Sequence, residues 1–285
     1  MKYPHVYLAY ILTAILLMYI AYRCIPVKES FTEYILPKIA WTHWDNAHPP
    51  KIIHDIIVNR AKKMIGWQTI VLTDDTIGQY IDINTLPSNF WNLSAPHRAD
   101  WIRLAVLVKH GGVWMDAGII VNDSSAMDRL HDDTLTRESL FTGFYPNHPS
   151  YIDNWFIMAP KGSPLIREWL AEYEKAINMG FVAYKVRLLQ TPTVFSEYSD
   201  DPKDVYLTAQ ACLQYILQRS PGKSKNIILH NATYTMMKIH ADCSRNKSTQ
   251  AECIRDTILY DPSAKKIPYI KLRKEDRIFD IEPYF

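Results

Sequence analysis

The sequence predicts an α/β protein, a mixed sheet flanked by helices, with one apolar helix set apart at the amino terminus. Three observations lead there. Residues 38–72 alternate strand, helix and strand, as the opening of a nucleotide-binding sheet does. Residues 97–118, HRADWIRLAVLVKHGGVWMDAG, read as an apolar helix, a Gly-Gly stop and a short strand ending in a carboxylate. A chain of 285 residues, 48% of them hydrophobic, suits one large domain plus an appendage.

The elements follow in order. Residues 6–22 are uncharged and would span about 25 Å as a helix, the short end of what crosses a hydrocarbon core. Tyr7, Tyr10, Tyr19 and Tyr22 lie toward its ends, where interfacial aromatics belong. No small-x-small cleavage site follows. Residues 1–26 are therefore read as a membrane anchor, 27–36 as a short stem and 37–285 as the main domain. Residues 38–41 form a strand. Residues 50–64 form a helix with proline at its start and Ile52, Ile53, Ile56 and Ile57 on its apolar face. Residues 68–72 form a second strand, and Thr73, Asp74 and Asp75 turn into a short helix. A helix begins near Pro96, capped by Ser94 or Asn92. Strands follow at 113–115, 119–121, 140–145 and 155–158, then amphipathic helices at 165–177 and 205–217. The remainder mixes short strands at 227–229 and 267–272 with polar loops.

The helix of residues 97–110 is apolar almost all round, so it is buried. Yet it carries Asp100 and Arg103. Burying those charges is costly unless they pair or meet a polar ligand. Two readings stand: an i,i+3 ion pair worth ~0.2–0.5 kcal/mol, or two groups aimed at a ligand. Gly111 and Gly112 end the helix, and the next strand delivers Asp116 to its carboxyl end. Ligands of open α/β sheets bind outside the carboxyl ends of strands. Asp116 alone would equally start a turn.

These residues carry a family resemblance. The segment resembles the pattern S-D-x-x-R-x-x-x-L-x-x-x-G-G-x-W-x-D-A-T of the capsular polysaccharide synthesis glycosyltransferases. Asp100, Arg103, Leu107, Gly111, Gly112, Trp114, Asp116 and Ala117 fall on it. More distantly it is similar to DxD sugar transferases of the mannosyltransferase and clostridial toxin type. PKIAWTHW at 37–44, NWFIMAP at 154–160 and PYIKLRK at 268–274 agree, in order, with the family's opening, central and closing strands. The resemblance implies a GT-A-type, Rossmann-like fold. It also implies a hexosyltransferase moving a sugar from a nucleotide-sugar donor to a glycan or glycoconjugate acceptor.

The resemblance assigns catalytic roles to Asp116, Asp100 and Arg103. Trp44, Asp153, Asn154, Lys271 and Arg273 would bind substrate. Asn154 equally reads as an Asx turn, and Trp155 as a core residue. A divalent cation, Mn²⁺ or Mg²⁺, would neutralise the leaving diphosphate. Here the chain departs from the DxD pattern: position 118 is glycine where a second acid stands. Asp123 or His230 would complete a metal site with Asp116, or cationic groups such as Lys271, Arg273 and Lys274 would replace it. The missing acid also feeds the competing reading, a non-catalytic sugar-binding or scaffold protein on the same fold.

The rest bounds the setting. A net charge of +2 implies no nucleic-acid partner. P-loop and G-x-G-x-x-G fingerprints are missing, so no ATP- or NAD-type cradle is expected. Asn92, Asn122, Asn231 and Asn246 head N-x-[ST] sequons. Cys243 and Cys253 enclose a loop that a disulfide would staple, Cys212 reads as a core thiol, and Cys24 at the membrane edge suits palmitoylation. Together these favour a bilayer-anchored protein with its domain in the Golgi lumen, the bacterial inner membrane being the alternative.

Overall fold

Two glycines in succession set the middle of the molecule. The computed structural model describes residues 34–146, 151–190, 201, 203–244 and 249–285. In it β1 (Ile39–His43), α1 (Lys51–Lys63) and β2 (Gln68–Leu72) form the opening β-α-β unit. Three short 3₁₀ turns lead to α2 (Ala95–His110), whose residues Asp100–Leu107 are all buried. Gly111 (φ 72°) ends that helix and Gly112 (φ 98°) begins β3 (Gly112–Met115). A Cβ on Gly111 would lie 2.5 Å from the Lys161 amide nitrogen, and one on Gly112 2.4 Å from the Ile39 carbonyl oxygen. Positive φ and this close approach leave room only for glycine.

The chain continues through β4 (Ile119–Val121), α3 (Ser124–Thr136), β5 (Phe141–Tyr145) and β6 (Phe156–Ala159). Then come α4 (Pro164–Met179), α5 (Phe181–Leu189), α6 (Thr208–Arg219) and β7 (Ile227–Asn231). Helices α7 (Lys238–Asp242) and α8 (Gln250–Tyr260) precede β8 (Tyr269–Lys271). Residues 250–260, expected as polar loop, are helical. Only Ile254 and Ile258 bury an apolar face there, too short a pattern to read from sequence. The Cys243–Cys253 disulfide is present and ties α8 to the turn after α7, and Cys212 is a buried free thiol.

Among the described residues, six strands form one mixed, parallel-rich sheet in the order β2-β1-β3-β6-β5-β7, flanked by helices. Only β6 runs against its neighbours β3 and β5; the β1–β2, β1–β3 and β5–β7 pairs are parallel. A separate ribbon pairs β4 with β8, Ile119 opposite Lys271. Trp41, Trp114 and Ile157, adjacent in register, share one core cluster with α2, α4 and α6. A second cluster joins α1, Ala117, Ile120, Ile270, Leu272 and α8.

The anchor at 6–22, the stem up to residue 33 and Asn246 lie outside the described residues. No helix among those described is long and apolar enough to cross a membrane.

Candidate active site

Three chain segments converge where β3 ends. Asp116 follows β3 and prolongs its pairing, its amide donating to the Trp155 carbonyl at 2.9 Å. Its Oδ1 accepts from Trp114 Nε1 at 3.0 Å and its Oδ2 from Lys271 Nζ at 2.7 Å. Lys271 reaches it because the β4–β8 pairing sets Lys271 opposite Ile119, three residues past Asp116. Arg103 Nη2 stands 3.6 Å from Asp116 Oδ1, and its guanidinium lies 5.0 Å over the Trp114 ring. Burial would raise the Asp116 carboxyl, but Lys271 and Arg103 outweigh it and hold it at about 2. The Asp116 side chain keeps 27% of its surface exposed while Lys271 and Arg103 keep under a tenth, so the hub opens to solvent at the carboxylate.

Behind Asp116 lies a buried, hydrogen-bonded polar network. Arg103 pairs with Asp100 at 3.1 Å, the i,i+3 contact the spacing allows. Its Nη1 donates to the Asn154 carbonyl at 2.5 Å. Asn154 Nδ2 donates to Asp100 Oδ1 at 2.9 Å, and Gln210 Nε2 donates to Asn154 Oδ1 at 3.1 Å. The ion-pair reading of Asp100 and Arg103 therefore holds. They form a helix ion pair, and Arg103 still faces Asp116. The pair is buried, so removing one member would cost several kcal/mol rather than tenths. Asn154 spends its side-chain amide on Asp100 and Gln210, so it braces the site.

Asp153 is buried beside the same hub. Burial, with a smaller push from Asp116, raises its carboxyl to about 7 against the opposing Trp155 hydrogen bond and Lys271 charge. Two carboxyls with displaced titrations in one crevice make it the candidate site.

Other expected residues fall elsewhere. Arg273 turns to Asp276, Gln250 and Glu275, because the turn after β8 points successive side chains apart. His230 sits on β7, at the sheet edge three strands from β3, against Phe144. Burial lowers its pKa, and its charged neighbours are Asp133 and Arg137. It does not meet Asp116. Asp123 caps α3 through Ser125 and pairs with Arg129. Lys274 is exposed. Trp44 packs against the second core cluster. Trp155 stacks on Phe144 at 5.3 Å.

Two cations escaped the sequence reading. Arg60, fully buried on α1, donates from Nη1 to the Asp116 carbonyl at 3.1 Å, and burial lowers its pKa to about 10. It lies four residues after Ile56, on the apolar stripe, and a basic residue there is the signal that would have found it. Arg277 lies beside Gly118 in a loop, where no periodicity marks it.

Residues 19–179, over half the chain, match the family of capsular polysaccharide synthesis proteins. The chain belongs to that family. Among curated relatives, this family member is 26% identical over 162 residues to "Glycosyltransferase afumC" of Aspergillus fumigatus, covering 50% of this chain and 40% of that protein. It is 27% identical over 159 residues to "O-glycosyltransferase braB" of Annulohypoxylon truncatum, covering 48% and 37%. The chain thus spans well under half the length of the curated relatives it matches. Among solved structures, "PaToxG Glycosyltransferase" overlaps 87% of this chain and 85% of its own, at 15% identity and a TM-score of 0.42. A glycosyltransferase described as involved in glycosylating the major capsid of PBCV-1 gives 14% and 0.38, with coverage of 84% and 96%. Neither superposition is close enough to bear on the site.

In this capsular-family member the residues at Asp116 do not fit a divalent ion. Such ions ask for several oxygen ligands. Here Trp114 and Lys271 already use the Asp116 oxygens, and Gly118 offers no side chain. Among the described residues, the acids close enough to share an ion are Asp55, Asp280 and Glu282. Lys51 Nζ donates to all three, at 2.8, 3.0 and 2.9 Å.

Proposed function

We propose that this chain is a glycosyltransferase of GT-A type that moves a hexose from a nucleotide-sugar donor to a glycan or glycoconjugate acceptor. The observation that carries the reading is Asp116, ionised and partly exposed at the carboxyl end of β3, flanked by Lys271 and Arg103. Glycosyltransferase relatives, and a sheet that is parallel except for β6, support it.

Donor and acceptor meet in the crevice at the β3 and β6 ends. The bond between the anomeric carbon and the phosphate oxygen breaks, and its electron pair stays on the phosphate. An acceptor hydroxyl oxygen takes its place on the carbon, and the hydroxyl proton is released. The cations beside Asp116 stabilise the charge that grows on the phosphate. Asp116 holds those cations and accepts from a donor hydroxyl. Asp153, near 7, is suited to exchange a proton with a sugar hydroxyl. The network of Asp100, Arg103, Asn154 and Gln210 fixes these groups in place before substrate arrives.

The proposal includes anchoring through residues 6–22 and a lumenal domain in the Golgi of a eukaryotic source. The Cys243–Cys253 disulfide supports an oxidising compartment. The reaction is tested with a panel of nucleotide sugars and the full chain. Slow release of free sugar from at least one donor, above background, is expected. A donor that binds but is never consumed would instead favour a non-catalytic sugar-binding protein.

A further inference from the structure

The charges around Asp116 do not balance. Arg60, Arg103, Lys271 and Arg277 all act on its carboxylate. Against them stand Asp116 itself, Asp100 and Asp153; Asp276 and Glu275 also act on Arg277, but they pair with His240 and Arg273. Asp100 is spent on Arg103, and Asp153 is held partly neutral by burial. A surplus of buried or half-buried cation is costly unless an anion joins it.

Like Arg60, but half-buried rather than fully so, Arg277 is poorly satisfied. Its Nη2 donates to the Leu272 carbonyl at 3.2 Å. Its Nε is buried with no hydrogen-bond partner, and no carboxylate pairs with it among the described residues. Its guanidinium fills the space a side chain at position 118 would need. A Cβ there would lie 2.8 Å from Nη2 and 2.5 Å from the Leu272 carbonyl oxygen. An acid at 118 is thus excluded by packing, and a cation stands in its place.

We propose that Lys271 and Arg277 together hold the diphosphate of the donor, doing the neutralising work that a divalent cation does in other sugar transferases. Lys271 offers a point charge, and Arg277 a planar fork matched to phosphate oxygens. Asp116 fixes Lys271, and the Leu272 carbonyl fixes Arg277. The inference rests on the glycosyl-transfer reading above.

The test is calorimetric titration of UDP and of GDP into the full chain, first in excess EDTA and then in excess Mn²⁺. At least one nucleotide should bind in EDTA, with a Kd that Mn²⁺ changes by less than about twofold. Arg277→Gln should weaken that binding by about tenfold or more, while Arg277→Lys, which keeps the charge, should lose less. Melting temperatures of the unliganded variants separate lost contact from lost fold. Binding that requires Mn²⁺, or a folded Arg277→Gln that binds as wild type does, overturns the assignment and leaves the glycosyl-transfer reading intact. Binding of neither nucleotide in either buffer overturns both.

Discussion

Asp153 carries a pH dependence whose sign follows from its burial. Its carboxyl is held near about 7, whereas in an unfolded chain it titrates near ~3.9. Between those values the folded state keeps a proton that the unfolded chain has released. The stability this group contributes is present in full below the lower value and is lost as pH rises through the upper one. The melting temperature of wild type should therefore fall more steeply from about pH 5 to about pH 8 than that of Asp153→Asn, which cannot titrate. Parallel curves would contradict the assignment. At this scale the site was largely legible. Asp100, Arg103, Asp116 and Lys271 are polar residues in apolar runs, and burial forces such groups to meet. Arg60 sits in the same kind of run, and the same argument would have found it. Arg277 was not legible, because its place depends on the backbone meeting Gly118 across a loop. Arg273 and His230 were misplaced for a related reason: a basic residue near a strand reveals its strand, not the direction its side chain takes.

At the scale of elements, the Gly-Gly pair makes the site possible. It reverses α2 into β3 within two residues and brings Asp116 back beside Arg103. Gly112→Ala would force a Cβ against the Ile39 carbonyl at a φ of 98°. Chemical denaturation should show a loss above about 1 kcal/mol, and an unchanged midpoint would show that β1 and β3 can part cheaply. The strands and the long apolar helix were readable because their periodicities are sustained. Helix α3 was not, since SSAMDRLHDDTLT buries only Ala126, Met127, His131 and Thr134. Helix α5 hides differently: it leaves Val182, Val186 and Leu189 exposed, so its pattern has no clean polar side. The β4–β8 ribbon is three residues a strand, and nothing local announces that residue 119 will pair with residue 271.

At the scale of the whole molecule, a mixed sheet, a cation-rich crevice and a disulfide belong to one chain, for which a lumenal enzyme is the proposed reading. Its setting has a structural signature. Asn92 is exposed, whereas Asn122 Nδ2 donates to Ala264, Ile267 and Tyr284 at 3.2, 2.9 and 2.7 Å. Glycopeptide mass spectrometry of protein made in a secretory host should find glycan on Asn92 and none on Asn122. A glycan on Asn122 would contradict the contacts its side-chain amide makes with Ala264, Ile267 and Tyr284. The overall architecture was the most legible level of all, because family pattern, chain order and strand–helix alternation agreed. The metal was the least, because a motif with one acid missing does not say what fills the gap. The most direct test of the central claim is the turnover of Asp116→Asn on the best donor, read beside its melting temperature. A fall of about 10²–10³-fold in a variant that still melts cooperatively is the predicted result. Turnover equal to wild type would contradict a reaction centred on Asp116.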